Sequence, residues 1–491
     1  MAIHRRLPFI KLSDKAAQNI FYAMPMVASS ALFTPIYIVQ GIYAKHYGLA
    51  LTAIAGVLVF ARLFDAITDP IIGYLSDKSR IKRGTRKPTV ILGAIVLASS
   101  GYFLYSPPDD VGTLYFAFWF MVFYLGLTIF YVPHLAWGGE ISRGTHEKTQ
   151  IYTLRTVASY LGIVVFYSIP LLPLWETSEI TPDTLEFSAV VFGLLMLPLL
   201  YPCIKWVPDG RCYSEENPIV DKGRNSTQTA FRQLAKTLKE MFHNKPLLLF
   251  LGAFLFAGSG LGMWFGLYFI YVDAYLGMGI LFAKISLIGL VVSIPGSLVW
   301  LKIAKYLGKK QAWLLAMLLG IAAFAYTGVL GPENAGFWPL LLLSISITSC
   351  FISIEFLPQS MLSDIVDYST WKFRTYRGST YFALYLFTNK AALAVGGALG
   401  LAIAGGYGFD PSSSSQTESG IAGLKLAMTW MPALLVVISM IFIALSPITA
   451  QRHGIIRRRL DAIEARSKRN NRKSSTLDKG ASETLILSAS N

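Results

Sequence analysis

Long apolar runs alternate with short polar connections along the whole chain. A helix crossing a hydrocarbon core of ~30 Å needs about 20 apolar residues. Runs of that length lie at about 19–43, 51–76, 89–106, 113–137, 152–174, 187–207, 246–275, 280–304, 312–330, 337–358, 381–407 and 422–445. None shows the ten-residue alternation of a membrane β-barrel. The pattern predicts an all-α polytopic membrane protein with twelve transmembrane helices. Composition agrees. Of 491 residues 54% are apolar and 14% charged, whereas a soluble chain carries about 25% charged residues.

The net charge of +15 would suit a nucleic-acid partner if it were clustered on one domain. Instead Lys and Arg fall in alternate connections: the N-terminus, 78–87, 208–245, KYLGKKQ after the eighth run, 372–377 and the tail. The loops at 107–112, 175–186, 331–336 and 408–420 contain neither. The positive-inside rule then places both termini in the cytoplasm and the chain in the cell (inner) membrane, and removes nucleic acid as a partner. The first run exceeds a signal peptide's apolar region, so it is read as a retained span.

The runs divide as six, a polar linker and six. The expected units are an N-terminal half (1–207), a cytoplasmic linker (208–245), a C-terminal half (246–447) and a basic, then Ser-rich tail (448–491). In the linker, Phe231, Leu234, Leu238, Met241 and Phe242 share one helical face, which fits a helix on the inner membrane surface or a plain linker helix. The halves repeat weakly. FYVPHLAWGGEIS after the fourth run parallels EFLPQSMLSDIVD after the tenth, and IIGYLSDKSRIKRG parallels LVWLKIAKYLGKK. Paired halves indicate an alternating-access transporter with its solute site between them, here expected as a monomer. Cys203, Cys212 and Cys350 have no metal-ligand spacing. No nucleophile–base pair or phosphate loop supports an enzyme, and no cofactor is expected.

Charge inside a span costs on the order of 3 kcal/mol on insertion scales and marks function. The stretch ARLFDAITDPIIGYLSDKSR holds Arg62, Asp65 and Asp69 at i, i+3 and i+7, on one helical face. Asp65 and Asp69 can share one Na⁺, or one can hold a proton while the other stays ionised. Arg62 would help keep the pair ionised. Pro70 lacks an N–H and frees the carbonyl of Ala66 as a further oxygen ligand. Asp77 and Arg80 close the stretch as gating candidates, with Asp77 able to pair with Arg80 or a neighbouring span. Lys390, deep within its run, could neutralise Asp65 or Asp69 when no cation is bound. Glu355, a lone acid in an apolar run, is a candidate solute ligand. His134, beside Pro133, fits a proton relay, a solute ligand or a satisfied helix-end histidine. Tyr131, Trp137, Trp264 and Tyr268 could stack on a sugar ring. Asp273 and Lys284, near span ends, read as interfacial.

The motif around Asp65, VPHLAWGGEIS with Arg155 after it, and MLSDIVDY with Lys390 resemble the glycoside–pentoside–hexuronide:cation symporter family of the major facilitator superfamily, the family of melibiose permease. The resemblance spans nearly the whole chain. It implies a fold of two six-helix halves and uptake of a sugar, glycoside or sugar acid coupled to Na⁺ or H⁺. It also implies Asp65 and Asp69 as the cation site, with Arg62 beside them. Arg155 is implied near the sugar, Lys390 between the two sites, and Asp364 and Asp367 as acids at the inner end of the tenth span, gating candidates like Asp77 and Arg80. The chain departs from that relative where span 1 lacks an acid and Tyr131 falls at or near the position of the span 4 sugar-holding acid. Coupling machinery is thus expected with a different solute reader. Transport of a non-sugar amphiphile such as a lysolipid is the alternative.

Overall fold

In a computed structural model, the described residues are 14–141, 145–209, 243–373, 378–413 and 415–447, with scattered positions between 452 and 462. Among them the secondary structure is helical and contains no strand. The linker's amphipathic stretch, Cys212 and the Ser-rich part of the tail lie outside the described residues.

Among the described residues, twelve helices are long and apolar enough to cross a membrane. In chain order they are α1 (Lys15–Tyr37), α2 (Leu51–Arg80), α3 (Lys87–Tyr105), α4 (Thr113–Ile141), α5 (Gln150–Leu171), α6 (Pro182–Trp206), α7 (Lys245–Tyr275), α8 (Gly279–Leu307), α9 (Lys309–Val329), α10 (Phe337–Phe373), α11 (Leu384–Gly406) and α12 (Glu418–Ala444). The expected twelve spans are therefore present. A further helical segment, Val39–Tyr47, extends α1 and stops at Gly48, whose φ is 68°.

Helices α1–α6 pack mainly on one another, as do α7–α12, and the groups meet through α2 with α11, α5 with α8, and the α1 extension with α7. We call the end bearing 78–87 and KYLGKKQ the basic end and the opposite one the far end.

Two expected loops turn out to be helix. The segment after Ser76 continues the α2 helix to Arg83, where Gly84 ends it at φ 71°. Hydropathy falls where the charges begin, but no helix breaker occurs until Gly84, and Arg80, Lys82 and Arg83 suit a helix C-terminus. The tenth helix likewise runs through Pro358 to Phe373.

Close helix approach depends on glycine. Along α7 and α11, a Cβ at Gly400 would stand 3.2 Å from the Met263 Cα, and one at Gly262 would stand 2.7 Å from the Leu393 carbonyl carbon. Small residues at such positions let backbones pack where lipid offers no hydrophobic drive for association.

Candidate functional site

The charged face of α2 points into the bundle. Arg62 Nη1 donates to Asp65 Oδ2 at 2.8 Å, one helical turn away. The Arg62 guanidinium carbon also lies 4.2 Å from the centroid of the Tyr124 ring on α4, a cation–π contact that offsets part of its desolvation. Asp65 is 6% exposed. Among the described residues its Oδ1 has no hydrogen-bond partner, and neither has Thr68 Oγ1.

One turn further on, Asp69 is held from two sides. Thr128 Oγ1 on α4 donates to its Oδ1 at 2.8 Å. Lys390 Nζ on α11 donates to its Oδ2 at 2.7 Å, so this ion pair crosses between the halves. Both partners remain partly exposed. This face thus carries two carboxylates and, from Thr68 and Thr128, two hydroxyls, oxygen groups of the hard type that Na⁺ or a proton favours. Arg62 and Lys390 balance the two acids.

Arg155 on α5 is buried, at 6% exposure. Its Nη1 donates to the Tyr131 hydroxyl at 3.1 Å, and its guanidinium carbon lies 4.1 Å from that ring's centroid. Among the described residues its Nε and Nη2 have no hydrogen-bond partner. The Tyr131 ring itself is exposed.

His134 is fully buried. Its Nε2 donates to the Tyr22 carbonyl at 3.0 Å, and the Tyr22 hydroxyl donates to the His134 carbonyl at 2.6 Å. The two rings stack at 4.3 Å. This pairing fastens α1 to α4, while the buried Nδ1 of His134 has no hydrogen-bond partner among the described residues. Trp137 is also buried, and its Nε1 donates to the Pro208 carbonyl at 2.8 Å, tying α4 to the chain that leaves α6. Trp264 and Tyr268 stack at 4.0 Å, both buried. The side chains of Pro70, Asp77 and Glu355 lie outside the described residues.

At the basic end the repeated motifs meet one another. Glu140 Oε2 accepts from Arg80 Nε at 2.9 Å, and its Oε1 accepts from Arg86 Nε at 3.0 Å. Arg86 Nη1 also donates to Ser76. In the other half Lys309 donates to both oxygens of Asp364 at 2.8 and 2.9 Å. Each post-proline acid thus takes cations from the second-to-third-helix connection of its own half. Asp367 stands one turn beyond Asp364 on α10.

Sequence reasoning missed Thr128, Tyr124, Thr68 and the acceptor role of Glu140. A hydroxyl in a span is nearly costless, so hydropathy does not flag it. For Glu140 the signal was the repeat itself. Asp273 departs from its interfacial reading. It is buried and bonded to Lys45, because the two halves close over it.

Residues 18–450 match the sequence profile of the family described as MFS/sugar transport protein. An uncharacterized symporter of Bacillus subtilis (strain 168), YjmB, is 26% identical, the match covering 83% of this chain and 87% of the relative. A putative glycoside/cation symporter of Escherichia coli (strain K12), YagG, is 23% identical over 87% of this chain and 90% of its own length. The lactose permease of Lactobacillus helveticus is 22% identical over 91% of this chain and 69% of its own. Among solved structures, the nucleoside transporter NupG superposes with a TM-score of 0.61 at 14% identity, covering 89% of this chain and all of that one. The inward open xylose transporter XylE from E. coli superposes at 0.56 and 12% identity, over 88% and 96%. These structures share the fold.

Proposed function

This chain belongs to the MFS/sugar transport protein family, and on that premise we propose that it is a symporter that couples Na⁺ or H⁺ to the uptake of a sugar or sugar acid. It is a multi-pass membrane transporter and not an enzyme. The observation that carries the coupling is Asp69, held by Lys390 across the halves at 2.7 Å beside a buried Asp65 oxygen that lacks a donor. A cation entering between Asp65 and Asp69 competes with the lysine for Asp69. Its arrival releases α2 from α11, and solute binding between the halves then selects the next facing state. A cation drives the change only because it binds one facing state better than the other.

Arg155 and Tyr131 serve as the solute-reading pair. A buried guanidinium with two unpaired nitrogens is complemented by an anionic group, which favours a sugar acid over a neutral sugar. The basic end faces the cytoplasm together with both termini. Residues 1–207 and 246–447 act as the two rocking halves, and the protein works as a monomer.

The test is uptake of labelled hexuronate and of the matching neutral hexose into right-side-out vesicles under imposed Na⁺ or H⁺ gradients. Wild type is expected to accumulate solute only with a gradient, and Asp69→Asn to lose accumulation. Gradient-independent uptake that survives the substitution would overturn the coupling.

A further inference from the structure

A second ion pair joins the halves at the far end. Lys45, on the helical extension of α1, donates to Glu179 Oε1 at 3.0 Å and to Asp273 Oδ2 at 2.7 Å. Lys45 and Glu179 belong to the N-terminal half, the latter on the connection between α5 and α6. Asp273 belongs to α7, and its side chain is only 3% exposed. Burial opposes the Lys45 charge, but its bonds to Asp273 and Glu179 outweigh that and hold its pKa above the ordinary lysine value.

Local backbone shape aims Asp273 at this partner. Residues Tyr271–Tyr275 form a π-helical turn, closed by Gly277 at φ 66°. Such a turn widens the helix and redirects its side chains. Gly279, the first residue of α8, has Asp273 Oδ1 packed against it, and a Cβ there would also stand 3.1 Å from Glu179 Oε1. Both carboxylates thus lie near a helix N-terminus, which favours negative charge. One ammonium and one helix end serve two acids.

Cross-half packing continues the closure. A Cβ at Gly41 would stand 2.6 Å from Phe269, and one at Gly405 would stand 2.9 Å from the Leu51 Cβ. Tyr37 lies 5.9 Å from Phe265, ring to ring. The bonds from Arg80 to Glu140 and from Lys309 to Asp364 at the basic end, in contrast, each join residues of one half.

We propose that the Lys45–Asp273 ion pair is the latch of the far-end gate, with Glu179 holding Lys45 when the gate opens. Removing one partner of a buried pair strands the other charge. Glu179 prevents that on the lysine side, and water entering the opening gate solvates Asp273. The latch therefore holds the gate shut without making opening prohibitive. This rests on the alternating-access reading, yet its test requires no solute.

The experiment places a reporter cysteine at Tyr37, beneath the latch, with Cys212 replaced by Ser. Right-side-out vesicles receive a membrane-impermeant maleimide on the far side. Each variant is first checked for monodisperse elution. Asp273→Asn is expected to raise the labelling rate about tenfold, the scale of one lost charge-assisted pair. The charge exchange Lys45→Asp with Asp273→Lys is expected to return the rate toward that of the parent, because Lys at 273 can bond both Asp at 45 and Glu179. Gly41→Leu, which cannot close on Phe269, sets the open-gate rate. If Gly41→Leu labels fast and Asp273→Asn does not, packing alone seals the gate and the latch is overturned. If neither labels faster, the far-end closure is not a gate and the proposal also falls. If both label faster while gradient-driven uptake is absent, the latch stands and the coupling reading fails.

Discussion

Lys390 reaches across from α11 to place its ammonium 2.7 Å from an oxygen of Asp69 on α2. In the proposed cycle the lysine stands in for the cation when the carrier is empty, which lets the empty carrier return. Lys390→Gln is therefore expected to lower net uptake by roughly tenfold or more, in line with loss of a bridging charge pair. Exchange of labelled for unlabelled solute at equal cation on both sides should persist. Loss of both activities together would assign Lys390 to solute binding instead.

Thr128 supplies the other donor to Asp69. A hydrogen bond to a charged group contributes about 1.5–3 kcal/mol. Because this donor stabilises ionised Asp69 in the empty carrier, Thr128→Ala should lower the cation concentration for half-maximal uptake by about tenfold or more, while Thr128→Ser keeps the hydroxyl and restores the parent value. Uptake measured against Na⁺ and against pH reads this directly, and the cation whose dependence shifts is the coupling ion.

Arg155 and Tyr131 form a stacked, hydrogen-bonded pair with two guanidinium nitrogens unspent. Arg155→Gln should abolish hexuronate uptake. Tyr131→Phe retains the ring and loses one hydroxyl bond, so a several-fold rise in KM is expected, on the order of 1 kcal/mol. A neutral hexose taken up equally well by the Arg155→Gln variant would show that the guanidinium reads the acid.

Packing between α7 and α11 makes a separate prediction about stability. A Cβ added at Gly400 would stand 3.2 Å from Met263 backbone atoms, and overpacking a tight contact costs about 1–3 kcal/mol. Gly400→Leu is expected to lower the melting temperature in detergent. Gly406, where nothing stands within 4 Å of an added Cβ, should accept Ala with little change. Equal melting of the two variants would contradict this packing.

How much of this was legible beforehand depended on energetic cost. Apolar length marked the twelve spans because a membrane enforces it. Asp65, Asp69, Arg62 and Lys390 stood out because charge in a span is expensive. Thr128 and Tyr124 did not, since a hydroxyl or a phenol in a span needs no special reason. The helix past Ser76 was read as loop because hydropathy ends where charge begins, whereas the backbone turns only at Gly84. For His134 no local pattern points to its partner, the Tyr22 carbonyl, 112 positions earlier. The Lys45, Glu179 and Asp273 cluster joins three segments far apart along the chain, and no local pattern announces such a meeting.

The Asp69–Lys390 pair also bears on membrane voltage. Arg62 and Lys390 together match Asp65 and Asp69, so the empty site is electrically neutral. A bound cation makes the loaded site singly positive, and moving one such charge through the full field is driven by about 2.3 kcal/mol per 100 mV. Potential should therefore accelerate the loaded passage and leave the empty return untouched. An inside-negative membrane would then concentrate a neutral solute even with equal cation on both sides. An anionic solute would need a second cation to gain the same advantage.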